Sequence, residues 1–459
     1  MASVAFTASE YQADGTIRRT RLALAGGVDA GWEVVREGAL ALRLGAGYRL
    51  LRTSHCGVCA TDLARRHLPF RLPQVTGHEV VAADDDGAAV VVEINASHAA
   101  RRVATGCAWC AAGMGTHCPE RLVLGIHDLP GGFGPWILAP VDAVLRVPAA
   151  IDALTATFAE PFAAALHAAR VATRVPRRRI AVLGPRRLGM LVVAALAAWR
   201  RRTGDGFEIL ALARRGALRD LARALGADDA RDPDAVAAPA ADVVVDTTGS
   251  PEGLVRALAL AAHEVHLKTT CGAPSGGLAH ATAMVVDELA LARPDAHPLA
   301  PPAGGPPYAT AAVLGSAPAA LVAGLAARGL DVVDAAAAAR LPLGGADVVV
   351  AGSVAEVDAA IRPAAGVERG IVRPRGTILL APGAGNGAVA AAVRERGLVV
   401  STSRCGDLRA ALELLPDVPG LAARLVTAVH PADRLADAFA AAASPTELKV
   451  VVTQPDAAF

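Results

Sequence analysis

Residues 180–189 read Ile-Ala-Val-Leu-Gly-Pro-Arg-Arg-Leu-Gly, and this pattern predicts a short buried strand that turns through glycine into a helix. Two more strands are predicted at 209–212 and 243–245, with helices at 188–201 and 218–225 between the three strands. Strands that alternate with helices at this spacing form a parallel sheet with helices on both faces. The sequence therefore predicts an α/β fold built on a doubly wound parallel sheet.

The part of the chain before this region lacks the alternation of strands and helices and is rich in β-forming residues and turns. Short runs of β-forming residues stand at 49–52, 80–81, 90–92 and 137–138 between Gly, Pro and Asp. A helix is predicted over 151–172, where the βα alternation begins. The first 150 residues are therefore expected to form a separate β-rich region.

The part after the first three strands repeats two short stretches of their sequence. A stretch rich in proline and glycine, 294–307, predicts a linker. Beyond it, the sequence Ala-Asp-Val-Val-Val of 241–245 recurs at 346–350, and Ala-Val-Leu-Gly of 181–184 recurs at 312–315. We interpret 294–396 as an inserted, partly duplicated βα unit. The alternative is that alanine-rich βα segments resemble one another by chance.

Composition limits the classes of partner. Of the 459 residues 53% are apolar, but 107 are alanine, and without alanine the apolar share is about 30%. The longest apolar stretch, 190–199, is far shorter than the roughly 20 residues of a spanning helix. Since 45 basic residues balance 44 acidic ones, no overall field favours nucleic acid or membrane. We expect a cytoplasmic protein that binds neither nucleic acid nor membrane.

Five of the seven cysteines lie between 56 and 118, and the first two stand in the stretch Cys-Gly-Val-Cys-Ala-Thr-Asp, 56–62. Gly-His-Glu follows at 77–79. A thiolate, an imidazole and carboxylates are zinc ligands, and a catalytic zinc site keeps one position open. Taken alone, the Cys-x-x-Cys pair fits either a redox pair or half of a zinc knuckle.

Together these motifs resemble the zinc-dependent medium-chain alcohol dehydrogenases, in particular the sorbitol and threonine dehydrogenase branch. In that family the metal ligand is the cysteine directly before the Gly/Ala-Ser/Thr-Asp step, which is Cys59 here. His78 and Glu79 match the family's Gly-His-Glu motif. Glu160, followed by Pro161, matches the motif that supplies a carboxylate to the metal.

The resemblance also implies a domain organisation and two further roles. It implies a GroES-like catalytic domain over 1–165, completed by 406–459, and a Rossmann nucleotide-binding domain over 166–405 that contains the 294–396 insertion. Thr61 resembles the hydroxyl that takes the proton from the alcohol, and Asp62 would orient a ligand. The alternative for Thr61 and Asp62 is a pair that caps a turn.

A second cysteine set, Cys107, Cys110 and Cys118, resembles the family's structural zinc lobe. That lobe needs four cysteines, and Ala104 stands where the first belongs. Three thiolates do not close a tetrahedral site. Either a histidine, His98 or His117, supplies the fourth ligand, or the lobe has lost its metal.

The glycine turn at 184–189 has the strand-turn-helix context of a dinucleotide fingerprint, but Arg186 replaces its middle glycine. Either Arg186 contacts a phosphate itself, or dinucleotide affinity is reduced. Arg214 and Arg215 stand where an acidic residue would bind a ribose, which favours NADP over NAD unless they are a solvated helix start. The predicted cofactor-binding residues share positions at strand ends: Gly184, Arg186, Leu188, Gly189, Arg214, Arg215, Thr248 and Gly249.

Two functional hypotheses follow. The first is a zinc-dependent NAD(P) alcohol dehydrogenase that oxidises a secondary alcohol or polyol, or reduces the ketone, as a homodimer or homotetramer. The second is a dehydrogenase-like protein without turnover that binds a ligand or serves an assembly. The intact set of Cys59, Thr61, His78, Glu79 and Glu160 favours the first, whereas Arg186 and Ala104 favour the second.

Overall fold

The computed structural model describes residues 2–295, 299–301, 303–315, 317–362, 370–381 and 387–455. Parts of the predicted linker and insertion, at 296–298, 302, 316, 363–369 and 382–386, lie outside the described residues. The chain divides into two compact units, residues 1–163 with 407–459, and residues 164–406. The predicted domain boundaries, at 165 and 405, stand close to these divisions.

The chain begins with an antiparallel sheet whose four strands pair in chain order: β1 Ala2–Tyr11, β2 Ile17–Gly27, β3 Gly31–Arg36 and β4 Ala39–Leu44. Alternate side chains of these strands point to opposite faces. Leu22, Leu24, Trp32 and Val34 lie on the buried face. The prediction of a β-rich first region is thereby confirmed.

Shorter strands and helices follow in the first unit. The strands are β5 Tyr48–Gly57, β6 Glu79–Ala83, β7 Ala89–Val92, β8 Asn95–Ala96, β9 Leu122–Leu124, β10 Asp128–Leu129, β11 Trp136–Pro140 and β12 Val144–Arg146. The helices are α1 Ala60–Leu63, α2 Ala108–Ala111 and α3 Ala153–Ala156. Strands β8, β9 and β10 form a small sheet of their own.

The single helix predicted over 151–172 is wrong, because the structure has two helices there. Helix α3 ends at Ala156, and α4 begins at Ala159 and runs to Ala172. Pro161 lacks a backbone N–H, so it is tolerated in the first turn of a helix and not in its interior. The break therefore places Pro161, and Glu160 beside it, in the first turn of α4.

The second unit is one sheet of eleven strands. The strands are β13 Arg179–Leu183, β14 Glu208–Leu212, β15 Asp229–Arg231, β16 Ala241–Asp246, β17 Ala261–Leu267, β18 Ala290–Ala292, β19 Thr310–Val313, β20 Asp331–Val333, β21 Ala346–Ala351, β22 Val372–Leu380 and β23 Val399–Thr402. The helices are α5 Arg187–Thr203, α6 Gly216–Ala224, α7 Pro251–Leu260, α8 Ala281–Val286, α9 Ala319–Ala327, α10 Ala335–Ala338, α11 Val354–Ile361 and α12 Ala388–Arg396.

The strands of this sheet stand in the order β15-β14-β13-β16-β17-β23-β18-β22-β21-β19-β20. Every neighbouring pair within the described residues is parallel except β23 and β18, which are antiparallel. The predicted doubly wound parallel sheet is confirmed, and the strands of the segment interpreted as an insertion extend this sheet rather than forming a sheet of their own.

The chain then returns to the first unit through α13 Leu408–Leu414, α14 Leu421–Leu425, β24 Val426–Pro431, α15 Leu435–Ala443 and β25 Lys449–Thr453. Strands β25 and β24 complete a sheet of order β12-β7-β6-β5-β25-β24, and β11 also pairs with β5. Single 3-10 turns lie at Arg65–His67, Gly115–His117, Val141–Ala143, Pro233–Ala235, Leu415–Asp417 and Ala432–Arg434. No helix in the described part of the chain is long and apolar enough to cross a bilayer.

Candidate functional site

Asp62 joins the two turns that carry the predicted catalytic metal ligands. Its Oδ2 accepts a hydrogen bond from the Cys59 N–H at 2.9 Å, and its Oδ1 accepts one from the Gly77 N–H at 3.1 Å. The side chain is buried, with 1% of the residue exposed. A buried carboxylate bound to both backbones fixes the separation of Cys59 and His78, which follows Gly77.

His78 lies between Asp62 and Cys59. Its Nδ1 is 3.5 Å from Asp62 Oδ1, and Cys59 also hydrogen-bonds to the ring. Burial lowers the pKa of His78, but the charges of Asp62 and Cys59 outweigh burial and hold that pKa well above its usual value. A carboxylate behind an imidazole is the arrangement that orients a histidine toward a metal.

Thr61 stands beside the predicted ligand. The Cys59 thiol lies 3.6 Å from Thr61 Oγ1 and donates to it, and both side chains are half-buried. The structure therefore brings together Cys59, Thr61, Asp62 and His78, which the sequence separates by up to nineteen positions. These four belong to one compact unit.

Glu79 has a partner that sequence reasoning missed. Its carboxylate forms an ion pair with Lys449 of β25, and both side chains are buried. The pair lies against Gly57, where a Cβ atom would collide with both charged groups. No local signal announces this contact, since the two residues stand 370 positions apart.

Replacing Glu79 by glutamine is expected to reduce the free energy of unfolding by about 3–5 kcal/mol, because Lys449 would be left as an uncompensated buried charge. Urea unfolding measures the loss. Glu33→Gln breaks an exposed pair with Arg43 (2.9 Å) and should cost no more than about 1 kcal/mol. Equal losses in the two variants would contradict the buried pair, whereas the double variant E79Q/K449M should regain stability.

Glu160 lies in the first turn of α4 and is half-buried. Burial raises the pKa of its carboxyl to about 7, although the charge of His78 acts in the opposite direction. Within the described residues, Cys59, His78, Glu79 and Glu160 do not form a group with all ligand atoms within 4.8 Å of one another, whereas a second group does. Their shared role at a metal stays a prediction.

That second group consists of His98, Cys107, Cys110 and Cys118, whose ligand atoms all lie within 4.8 Å of one another. Cys118 Sγ is 3.6 Å from His98 Nδ1 and 3.9 Å from Cys107 Sγ. Three thiols and one imidazole are a complete tetrahedral donor set for zinc. Of the two histidines that the sequence offered as the fourth ligand, His98 belongs to this group. His117 lies outside the group, and its Nδ1 is 3.2 Å from Thr116 Oγ1.

The surroundings of His98 suit a histidine that binds a metal. The ring is buried, and its other nitrogen, Nε2, lies 3.4 Å from Glu120 Oε2. A ligating histidine commonly presents its second nitrogen to a carboxylate, which fixes the tautomer. Ala104 is exposed, so the position of the missing cysteine takes no part in this group.

The predicted nucleotide turn lies at the carboxyl end of β13. Gly184 has φ +73°, and a Cβ there would lie 2.6 Å from Thr248 Cγ2, so glycine is required. Gly189 packs against Thr247 in the same way. Thr248 also donates to Asp246 Oδ1 at 2.7 Å. The structure places Gly184, Gly189 and Thr248 together, with Leu188 half-buried in the first turn of α5 and Gly249 (φ +65°) after Thr248.

Arginines gather at this end of the sheet. Arg186 caps the N-terminus of α5 and is half-buried. Burial lowers its pKa, and the charges of Arg187 and Arg215 lower it further. Arg214, in contrast, is largely exposed and lies 3.7 Å from Asp234. Three neighbouring guanidinium groups at a helix N-terminus favour an anion there.

Residues 45–149 match the alcohol dehydrogenase GroES-like domain family. This segment contains Cys59, Asp62, His78 and the whole His98 cluster. This part of the chain is similar to the GroES-like domain of alcohol dehydrogenases. The resemblance inferred from the motifs is thereby confirmed, as is a GroES-like domain combined with a Rossmann sheet.

Two named dehydrogenases match part of the chain. An L-threonine 3-dehydrogenase of Bacillus subtilis (strain 168) is 25% identical over 236 residues, 47% of this chain and 65% of that protein. An alcohol dehydrogenase of Geobacillus stearothermophilus is 31% identical over 126 residues, 24% of this chain and 35% of that protein. The chain thus matches less than two thirds of the length of either relative.

Two solved structures share the fold over nearly the whole chain. A zinc-binding dehydrogenase from Sinorhizobium meliloti 1021, bound to NADP, has a TM-score of 0.56 at 17% identity, with 98% of this chain and 99% of that chain covered. A short chain alcohol dehydrogenase (rspB) from Escherichia coli CFT073, complexed with the cofactor NADH, has a TM-score of 0.56 at 14% identity, with 98% and 99% covered. Identity this low shows a common fold.

Proposed function

We propose that this oxidoreductase relative is a zinc-dependent dehydrogenase that transfers a hydride between a secondary alcohol or polyol, or its ketone, and NAD(P). The observation that supports it most is Asp62, which holds Cys59 and the turn of His78 together while it faces the His78 ring. The bond to the Cys59 N–H also caps α1, as the alternative for Asp62 expected, whereas the bond to Gly77 and the approach to His78 go beyond a cap and suit a metal ligand set.

Cys59, His78 and Glu160 would hold the catalytic zinc, with Glu79 adjacent. A zinc ion held there supplies Lewis acidity, which lowers the pKa of an alcohol oxygen. Asp62 orients His78 and holds the Cys59 turn in place. The Thr61 hydroxyl, which lies beside Cys59, would receive the proton that the alcohol loses.

His98, Cys107, Cys110 and Cys118 would hold a second zinc with a structural role. All four donors come from one short stretch of chain around α2, and they leave no position open for water or substrate. The chemistry of this donor set suits zinc better than magnesium or calcium, which prefer oxygen ligands. Its contribution is to the stability of the first unit.

The dinucleotide would be bound at the turn after β13 and the turn after β16, by Gly184, Arg186, Leu188, Gly189, Thr248 and Gly249. Arg215 and Arg214 would lie near the ribose. Arg186 takes the place of a glycine that would let a pyrophosphate approach the backbone, so its guanidinium would contact the phosphate instead. Arg215 beside it suits a ribose 2′-phosphate, which favours NADP over NAD. Small-molecule substrates, a homo-oligomeric state and a cytoplasmic location stay expectations.

The arginine assignment has a direct test. Arg215→Ala should weaken NADPH binding about tenfold, because a charge-assisted hydrogen bond contributes about 1.5–3 kcal/mol, and should leave NADH binding unchanged. Titration calorimetry with both nucleotides measures this, and the matched control is Arg179→Ala, which removes an exposed guanidinium at the opposite end of β13. An equal loss for NADPH and NADH would show that Arg215 does not face the 2′-phosphate.

The second candidate is a dehydrogenase-like protein without turnover, and Arg186 favours it, since it replaces the middle glycine of the dinucleotide turn. Zinc analysis and nucleotide titration separate the two. Two zinc ions per chain with saturable NADPH or NADH binding support the dehydrogenase. No nucleotide binding at millimolar concentration would leave the protein without its hydride carrier.

A further inference from the structure

The repeated letters of the second unit occupy equivalent places in the sheet. In β13 and β16, Ala181 pairs with Val244. In β19 and β21, Ala312 pairs with Val349. The two pairs are the same positions of the repeated segments, so the repeat preserves the pairing register as well as the letters. Because register is set by which side chains face the core, alanine-rich composition alone would not reproduce it.

Two finer features are repeated as well. Asp242 Oδ2 accepts hydrogen bonds from the two backbone N–H groups at the start of β13, at 2.6 and 3.0 Å. Asp347 Oδ2 accepts hydrogen bonds from the two N–H groups at the start of β19, at 2.9 and 2.7 Å. The register shift that follows Ala241 in β16 recurs after Ala346 in β21. The region is therefore a true second copy.

The two copies meet through equivalent edges. In the second copy, the strands that correspond to β13, β14, β16 and β17 are β19, β20, β21 and β22. The last of these, β22, pairs with β18, just as β17 pairs with β23. Strand β18 therefore takes the place in the second copy that β23 has in the first. Strands β18 and β23 pair antiparallel through Leu291 and Val400. Antiparallel pairing of equivalent strands is the relation that a two-fold axis gives two copies of one subunit. It also covers an edge that would otherwise attract another chain.

Buried charges hold the copies together at this edge. Glu288, which is 1% exposed, forms an ion pair with Arg375 of β22 at 2.7 Å. Its other oxygen accepts a hydrogen bond from the Arg404 N–H, just after β23, at 2.8 Å. Glu288 thus binds one residue from each side of the junction, which fixes the second copy to the first.

The glycine turn of the second copy is closed. In the first copy the neutral Thr248 side chain packs against Gly184. In the second copy the segment after β21 is two residues shorter, and the Glu356 carboxylate packs against Gly315 instead. Glu356 Oε2 accepts a hydrogen bond from the Gly352 N–H at 2.6 Å. A carboxylate beside this glycine would repel a phosphate that approached the turn.

We infer that residues 290–380 are a second nucleotide-binding half-sheet, closed to dinucleotide by Glu356 and retained as a built-in partner that covers the edge of β23. That the first copy binds a dinucleotide rests on the proposed function. It assigns one dinucleotide to each chain, held at the Gly184 turn.

The test is NADPH titration calorimetry on the full chain, with the same substitution at equivalent glycines. Wild-type protein should bind one NADPH per chain. Gly184→Ala should weaken binding at least about tenfold, because this glycine makes the phosphate turn. Gly315→Ala, with nearly the same φ (+63° against +73°), should leave affinity within about twofold. Two sites per chain, or a loss of affinity confined to Gly315→Ala, would overturn the inference.

Absence of any NADPH or NADH binding would overturn the proposed function, and a second measurement then decides the inference. Hydrogen exchange of the β23 amides, measured over about a hundredfold range of concentration, reports what covers this edge. Protection that does not change with concentration supports a partner within the chain. Protection that rises with concentration shows that a second molecule covers β23, which contradicts a built-in partner.

Discussion

Replacing Cys59 by serine is expected to remove one of two zinc ions and to lower turnover at least about a thousandfold. Losing a Lewis acid that stabilises transition-state charge by several kcal/mol corresponds to a loss of this size. Fold should be retained, because Cys59 is half-buried at the start of a four-residue helix and no strand depends on its thiol. Metal analysis, circular dichroism and steady-state kinetics with a panel of secondary alcohols and polyols give the three readouts.

The control for this variant is Cys271→Ser, which changes an exposed thiol in the second unit and should alter neither zinc content nor turnover. Unchanged turnover and two retained zinc ions in Cys59→Ser would show that the ligand assignment is wrong. Loss of activity with both zinc ions retained would separate a role of the thiol in catalysis from a role as ligand.

Replacing Cys110 by serine is expected to remove the other zinc and to lower the melting temperature by at least about 5 °C, since metal binding at a structural site contributes directly to folding. The expected effect on activity is indirect and follows the loss of folded protein. Metal analysis and thermal unfolding, each with and without a chelator, measure the change.

The identity of the fourth ligand is tested by histidine variants. His98→Ala should lose the same zinc as Cys110→Ser, whereas His98→Cys should retain it, because a fourth thiolate also closes a tetrahedral site. His117→Ala should keep the metal, as His117 is outside the group. A chelator that leaves the wild-type melting temperature unchanged would mean that the four residues hold no metal.

How far the sequence predicts this protein is clearest in the second unit. Short apolar runs predicted β13, β14 and β16, and the first of them ends at Gly184, because a buried parallel strand needs little more than apolar residues and a turn. The helix boundary before α4 was missed, because the apolar pattern of 151–172 continues across Pro161. The spacing of apolar residues does not distinguish a proline in the first turn of a new helix from a proline in a helix interior.

Only some of the contacts in the candidate site were predictable from the sequence. Cys59, Thr61 and Asp62 stand within four residues of one another, so their proximity was predictable from the sequence. The pair of Glu79 and Lys449 was not, because it depends on β25 returning from the far end of the chain to pair with β5, whose other neighbour β6 carries Glu79. The choice of His98 over His117 also needed the fold, since both histidines lie near the cysteines in sequence.

The sequence by itself determined the α/β class and the family resemblance, because these depend on local patterns and on short motifs, and it left a repeat and a chance resemblance as alternatives. Only the tertiary structure decided which histidine completes the cysteine cluster, which group neutralises Glu79, and that the repeat extends the same sheet through an antiparallel edge with a carboxylate in its turn. Such contacts join residues that are distant along the chain, and their free energy depends on burial and geometry that no local pattern carries.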